Sequence, residues 1–452
     1  MVKPPRAVMR PEESVMVPGL AARVAAAAIL HDVVNGRHTI DELFAPGSGL
    51  SRLAGLGGRD VALTRSIVTV ALRRLGTIRR ALSTLLENDL PRGLSQIESC
   101  LTVAAAQILF LDVPDHAAVD LAVRMMRLDQ KTVPYASLVN GVLRNLVRRR
   151  DLLLADGAAP EQDAPAWLAA RWRDTYGAAT AEAIAAANRH EPTLDITVKS
   201  DPALWAERLD ANLLPTGSLR LSTHRPIAEL PGYADGAWWV QDAAAALPAK
   251  LLDVVAGMKI ADLCSAPGGK AAQLAARGAR VSAIDRSAER LKLLAANFQR
   301  LRLEAEIVVA DVLALTGVAF DAVLLDAPCS GTGTIRRHPD IAWTKKPSDI
   351  GKLAAIQSRM LNKAFELVKP GGTIVYCVCS LEPEEGDQQI AGLLRRNPDV
   401  ARSPIQPEEI GGLGELINAN GELRTLPSHL AAEDRRMAGL DGFFAARLVR
   451  SR

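Results

Sequence analysis

From residue 236 onward the chain alternates short apolar runs with amphipathic stretches, and this rhythm limits the possible folds more than any other feature of the sequence. KIADLCSA leads through a glycine turn into KAAQLAARG, and ARVSAIDRS leads into AERLKLLAANFQRL. AEIVVAD, FDAVLLDAPCSG and GGTIVYCVCS continue the series. Strand alternating with helix predicts a parallel, doubly wound α/β sheet. The near-continuous apolar character of the strands fits a sheet covered on both faces. In such a sheet ligands bind beyond the carboxyl ends of the strands, so the residues just after each run carry the functional information.

After the first strand comes Cys264-Ser265-Ala266-Pro267-Gly268-Gly269-Lys270. Two glycines permit a tight turn and close backbone approach, and the helix that follows would point its N-terminal NH groups at a ligand. The second strand is expected to end at Asp285, the third at Asp311 and the fourth at Asp326. An acidic residue about 20 positions after the first strand suits ribose hydroxyls. A glycine turn alone could be any strand–helix connection, but three acidic strand ends in series favour a nucleoside site. The spacing matches neither G-x-G-x-x-G nor the P-loop pattern, which leaves S-adenosylmethionine as the expected cofactor.

The 452 residues exceed one typical core. Residues 1–17, with Pro4, Pro5 and Pro11, are expected to be disordered. Residues 18–150 read as an all-α domain: RSIVTVALRRLGTIRRALSTLL places apolar residues three and four apart, and Pro91, Pro114 and Pro134 fall where helices should stop. Residues 151–165 read as a linker and 166–235 as a small α+β connector, with helices in WLAARWRDTYG and TAEAIAAANRH and a strand in LDITVKS. Residues 236–452, which carry the α/β rhythm, are expected to be the catalytic domain. Residues 1–150 carry a net +7 and the remainder −4. An arginine-rich front half fits a polyanionic partner such as RNA, and equally a solvated helical surface. MVKPPRAVMRPEES has no apolar signal region, and no apolar run approaches the ~20 residues of a membrane span. A cytoplasmic, monomeric protein without membrane contact is the expectation.

Five cysteines, Cys100, Cys264, Cys329, Cys377 and Cys379, are too few and too unevenly placed for a disulfide framework. No C-x-x-C occurs and no histidine set accompanies the Cys377/Cys379 pair, so no metal site is expected. Cys100 reads as a core helix residue, and Cys264 lies in the glycine turn where it can pack. Cys329 and Cys379 stand at strand ends, and Cys377 would share a face with Cys379 if the strand continues. A thiolate is a strong nucleophile. Added to carbon-6 of a cytosine, it makes carbon-5 reactive enough to accept a methyl group. One thiol, one acid and a base beside a methyl donor satisfy that chemistry, but residue chemistry alone leaves the choice among the cysteines open. Arg336, Arg337, His338, Lys345 and Lys346 follow the DAPCSG turn and are read as an RNA-contacting segment, with a charged surface loop as the plainer alternative.

DLCSAPGGK, DAPCSGTG, RRHPDIAW and YCVCSLEPEE together resemble the ribosomal RNA 5-methylcytosine methyltransferases of the RsmB (Sun/Fmu) type, within the wider NOL/NOP/NSUN family. PYASLVNGVLRNLVRR resembles the NusB-type helical RNA-binding domain of the bacterial members, and DGFFAARL their last strand. The resemblance spans nearly the whole chain. It implies a Rossmann-like methyltransferase domain, Cys379 as nucleophile and Cys329 assisting product release. Asp326 and Lys270 would act at the reacting centre, and residues 264–270, Asp285, Asp311 and Asp326 would hold S-adenosylmethionine. The implied substrate is a cytidine in small-subunit (16S) ribosomal RNA. Two positions depart from the pattern: Cys377 replaces a smaller residue, and Gly386 stands where asparagine is common. A non-catalytic RNA-binding assembly factor, or an enzyme acting on another acceptor, are the competing readings.

Overall fold

The computed structural model describes residues 17–36, 38–45, 47, 49–86, 95–155, 159–223, 225–317 and 319–451. The expectations for residues 1–16 and Pro91 lie outside them. Two compact units divide the chain: residues up to Arg189 together with His338–Lys345, and His190–Arg337 together with Lys346–Arg452.

The first unit is all helical, as its periodicity predicts. Its centre is the helix Ser95–Phe110, buried along Ile97, Cys100, Leu101, Ala104, Ala105 and Ile108. A helix this apolar on every side must be enclosed, and its alanines let neighbouring helices approach closely. Leu20–Val34, Gly58–Arg73, Asp115–Met126 and Ala136–Arg148 pack around it through Ile29, Val33, Ile67, Leu72, Leu121, Val139, Leu143 and Leu146. Cys100 is a core residue as expected, its Sγ 3.6 Å from the Ala122 carbonyl.

This compact unit runs past residue 150. The helices Ala166–Tyr176 and Ala178–Asn188 belong to it rather than to the connector. Asp163 accepts from the Thr77 amide at 2.7 Å and the Thr77 hydroxyl at 3.0 Å, and pairs with Arg189 at 2.6 Å. The unit also takes up His338–Lys345. There Trp343 donates its indole N–H to the Leu72 carbonyl at 3.1 Å, and Asp340 accepts from the Ile40 amide at 3.2 Å.

The second unit begins with a four-stranded antiparallel sheet. Its strands are β1 (Leu194–Val198), β2 (Ala211–Leu213), β3 (Leu219–Leu221) and β4 (Trp238–Val240), in the order β2-β3-β1-β4. Ile196, Leu219, Leu221, Leu230 and Trp238 form its core. Arg220 crosses it as a buried bidentate partner of Asp195, with both contacts at 2.7 Å.

The catalytic sheet has β5 (Lys259–Leu263), β6 (Arg280–Asp285), β7 (Glu306–Val309), β8 (Phe320–Asp326), β9 (Val368–Val378), β10 (Val400–Arg402), β11 (Leu423–Thr425) and β12 (Phe443–Arg450). The order is β10-β12-β9-β8-β5-β6-β7, with β11 on β12. The five strands β5 to β9 pair in parallel as expected. The sheet is mixed overall, because β12 runs antiparallel to β9 and carries β10 and β11. Alternate residues serve opposite faces. Ile260, Ala322, Leu324, Val375 and Cys377 join one core, while Leu263, Val323, Leu325, Ile374 and Tyr376 join the other. Among the described residues, no helix is long and apolar enough to cross a membrane.

Candidate active site

β5 lies between β6 and β8; the chain runs outward from β5 through β6 to β7 and then crosses back to β8 on the other side, a reversal that opens a crevice at the carboxyl end of β5. The turn 264–268 sits there. Cys264 and Gly268 adopt positive φ angles of 63° and 101°. A Cβ on Gly268 would lie 2.7 Å from Leu294 Cγ, so the turn needs glycine both for its backbone and for the helix Ala288–Leu301 packed against it. The Gly268 amide closes the turn on the Ser265 carbonyl at 2.8 Å. Asp285, at the end of β6, accepts from the Ala266 amide at 3.2 Å and the Ser287 amide at 2.9 Å. Asp311 is exposed and lies two residues beyond β7, which stops at Val309 rather than at the aspartate. It starts a helical turn by accepting from the Leu313 amide at 2.9 Å.

The ends of β8 and β9 carry the residues expected to take part in the reaction. Asp326 faces Cys377 in register, and its Oδ1 lies 3.5 Å from the Cys377 thiol. Its other oxygen takes the Lys270 ammonium at 2.7 Å. Burial works against charge on Lys270, but Asp326 outweighs it and holds the ammonium above its usual range. Lys270 also lies 5.0 Å from the Phe443 ring centroid. Cys329 and Cys379 meet with their sulfurs 3.4 Å apart. The Gly333 amide donates to the Cys379 carbonyl at 3.1 Å, and the Gly442 amide donates to the Gly333 carbonyl at 2.7 Å. A Cβ at Gly333 would fall 1.8 Å from the Gly442 oxygen, so this contact admits only glycine.

The thiols differ in environment. Burial, with Asp326, Asp285 and Asp262 nearby, pushes Cys264 up to about 12. Burial and Asp326 push the Cys377 thiol up as well. The Cys329 thiol is raised first by its bond to Cys379 and then by burial. Burial also lifts Asp262 to about 7, against the pull of the Ser265 hydroxyl, which donates to it at 2.8 Å.

The basic segment after DAPCSG is divided. Arg336 does not present an RNA-contacting surface, which corrects that expectation. It is 3% exposed, bound to Asp242 at 3.1 Å and to the Ala438 carbonyl at 2.9 Å. Arg337 keeps about a third of its side chain exposed, with its Nε 2.7 Å from Asp441. His338 and Lys345 belong to the helical unit, and Lys346 precedes the helix Pro347–Leu367. Burial opposes charge on Asp242, but Arg337 and Arg336 outweigh it and hold that carboxyl low. Burial lifts Asp441 to about 6 against Arg337. Arg336→Met should therefore cost ~3–5 kcal/mol, since it strands buried carboxylates. A denaturant midpoint unchanged from wild type would show that Asp242 finds another partner.

Three residues here escaped the sequence reading. Glu385 sits in the quoted EPEE run and Phe443 in DGFFAARL, but only contact identifies them. Asp441 reads as a loop acid until Arg337 is placed beside it.

A ribosomal RNA small subunit methyltransferase B from Xylella fastidiosa is 35% identical over 455 residues, covering 96% of this chain and 99% of its own. The chain belongs to the RsmB/F family of rRNA methyltransferases. The family description "16S rRNA methyltransferase RsmB/F" matches residues 249–449, and the NusB family matches residues 20–148. A further RsmB relative, from Cronobacter sakazakii, is 34% identical over 417 residues, covering 87% of this chain and 91% of its own. Among solved structures, a methyltransferase homolog from Pyrococcus horikoshii aligns with TM-score 0.53 at 26% identity, covering 66% of this chain and 98% of its own. As an RsmB/F member the protein is an RNA methyltransferase that uses S-adenosylmethionine. The donor set fits that cofactor: Asp326 is about a third exposed and Asp311 exposed, so carboxylate oxygens remain open to an ammonium and to hydroxyls beside a glycine-shaped turn.

Proposed function

We propose that the protein methylates carbon-5 of a cytidine in ribosomal RNA, with the 16S molecule as expected substrate, through a transient covalent bond from Cys379. The observation that carries this reading is the Cys329/Cys379 sulfur pair, 3.4 Å apart at the strand end next to the Lys270–Asp326 ion pair. Burial and neighbouring carboxylates raise the Cys264 and Cys377 thiols, and the assignment of attack to Cys379 rather than Cys329 is carried over from the resemblance of YCVCS and DAPCSG to the RsmB-type enzymes.

Residues 264–270 with Asp285, Asp311 and Asp326 would hold S-adenosylmethionine, which supplies an electrophilic methyl group when bound. Cys379, its proton passed to solvent, would add to carbon-6 as a thiolate, and the electron pair moved to carbon-5 would form the bond to the methyl group. Asp326, fixed from behind by Lys270, offers an acceptor to the cytosine amino group or to the ammonium of the donor. Cys329, once its own proton has passed to solvent, is assigned the carbon-5 proton, after which the Cys379 sulfur leaves as a thiolate. A stacked base cannot reach these groups, so the cytidine must come from a loop or be flipped out. Arg337 and His338 are the proposed RNA contacts that remain after the correction to Arg336.

Bisulfite sequencing of ribosomal RNA from cells lacking the protein tests the reading. One cytidine should lose its protection and regain it when the wild-type chain is restored. An unchanged pattern of protected cytidines would overturn it.

A further inference from the structure

The two reactive sulfurs sit on separate loops, and something must keep them together. Glu385 lies between those loops with no exposed surface. Its Oε1 accepts from the Ser330 amide at 2.9 Å and from Gln357 Nε2 at 3.0 Å. Its Oε2 accepts from the Ser330 hydroxyl and, at 2.5 Å, from the Ser380 hydroxyl. Ser330 follows Cys329 and Ser380 follows Cys379, so one carboxylate binds the neighbour of each reactive cysteine. The two serine hydroxyls lie 3.2 Å apart and are buried.

The carboxylate is itself held. Tyr376 Oη donates to the Glu385 carbonyl at 2.6 Å, and Gln357 Nε2 reaches the Pro328 carbonyl at 2.9 Å as well as Glu385. Arg424 fixes the same turn through the Ser380 carbonyl at 2.7 Å. A buried carboxylate surrounded by donors is costly to disturb.

We propose that Glu385 is a positioning residue that brackets the Cys329 and Cys379 loops, setting the spacing at which attack and release can follow one another. The proposal rests on the cysteine-adduct reading above, and it adds a residue that touches neither base nor cofactor. Carboxylate is the group suited to the task because both of its oxygens accept. The amide of Glu385→Gln keeps the shape but has only one accepting oxygen.

The test uses the full chain. Diamide joins two nearby thiols into a disulfide, taking up their two electrons and two protons as it becomes a hydrazine. In a Cys377→Ala background the rate of Cys329–Cys379 cross-linking reports their spacing without any RNA. Glu385→Gln should slow cross-linking and lower kcat, each at least ~10-fold, since a displacement near 1 Å can cost ~100-fold. The KM for RNA and the affinity for S-adenosylmethionine should change little. Cross-linking and kcat both at wild-type levels would overturn the proposal. If Glu385→Gln fails to fold, Ser380→Ala keeps the Ser330 contacts to Glu385 and removes the hydroxyl tie on the Cys379 side, together with that hydroxyl's contacts to Ser330, Thr332 and the Glu382 amide; it should slow cross-linking by several-fold, and a wild-type rate there overturns the bracket. A Cys379→Ala variant that still methylates would sink the adduct reading alone, because the cross-linking comparison stands without it.

Discussion

Cys379→Ala is expected to lose methyl transfer by ~10⁴-fold or more, as enzymes do when a covalent nucleophile is removed, while S-adenosylmethionine still binds. The residue closes no turn around the glycine segment, and its carbonyl, which takes the Gly333 amide, is unaffected by the substitution. Its side chain meets Cys329 and borders the core shared with Cys377. Transfer of labelled methyl groups to ribosomal RNA measures the first effect and titration calorimetry with S-adenosylmethionine the second. A variant that keeps most of its turnover takes Cys379 out of the mechanism. Loss of cofactor binding together with activity would mean that the side chain supports the fold rather than the chemistry.

Cys329→Ala is expected to accumulate a covalent protein–RNA adduct. With the second sulfur gone from its place 3.4 Å away, Cys379 can still attack, but the carbon-5 proton loses the acceptor proposed for it. The methylated base then has no route off the enzyme. A denaturing gel should show a slow-migrating species that needs both RNA and S-adenosylmethionine and disappears on ribonuclease treatment. Absence of that species, with normal turnover, would remove Cys329 from the release step. In the double variant Cys329→Ala/Cys379→Ala the species should not form.

Much of this arrangement was readable from residues close together in the chain. The turn 264–270 and the ends of β6 and β8 are short-range features, so Asp285 and Asp326 stand at strand ends as the pattern predicted. What failed to read depends on distant partners. Arg336 looked like a surface cation until Asp242, 94 residues earlier, was found against it. The linker-like 151–165 suggested a boundary, but Asp163 ties back to Thr77 across 86 residues. The antiparallel strands β10 and β11 break the strand–helix rhythm and are specified only by their pairing with β12, the strand read in DGFFAARL. Glu385 was visible as one of two adjacent glutamates, yet its link to both cysteine loops exists only in three dimensions.

The eight-residue excursion His338–Lys345 has a consequence for any attempt to dissect the protein. The peptide chain enters the helical unit a second time directly after Arg337 and leaves again before Lys346. No single cut separates the halves. A fragment starting near residue 190 would keep Trp343 and Asp340 but lose the Leu72 carbonyl and the Ile40 amide that satisfy them. Such a truncation would carry an unsupported loop beside its own catalytic turn, and poor behaviour of that fragment would say nothing about whether the helices bind RNA.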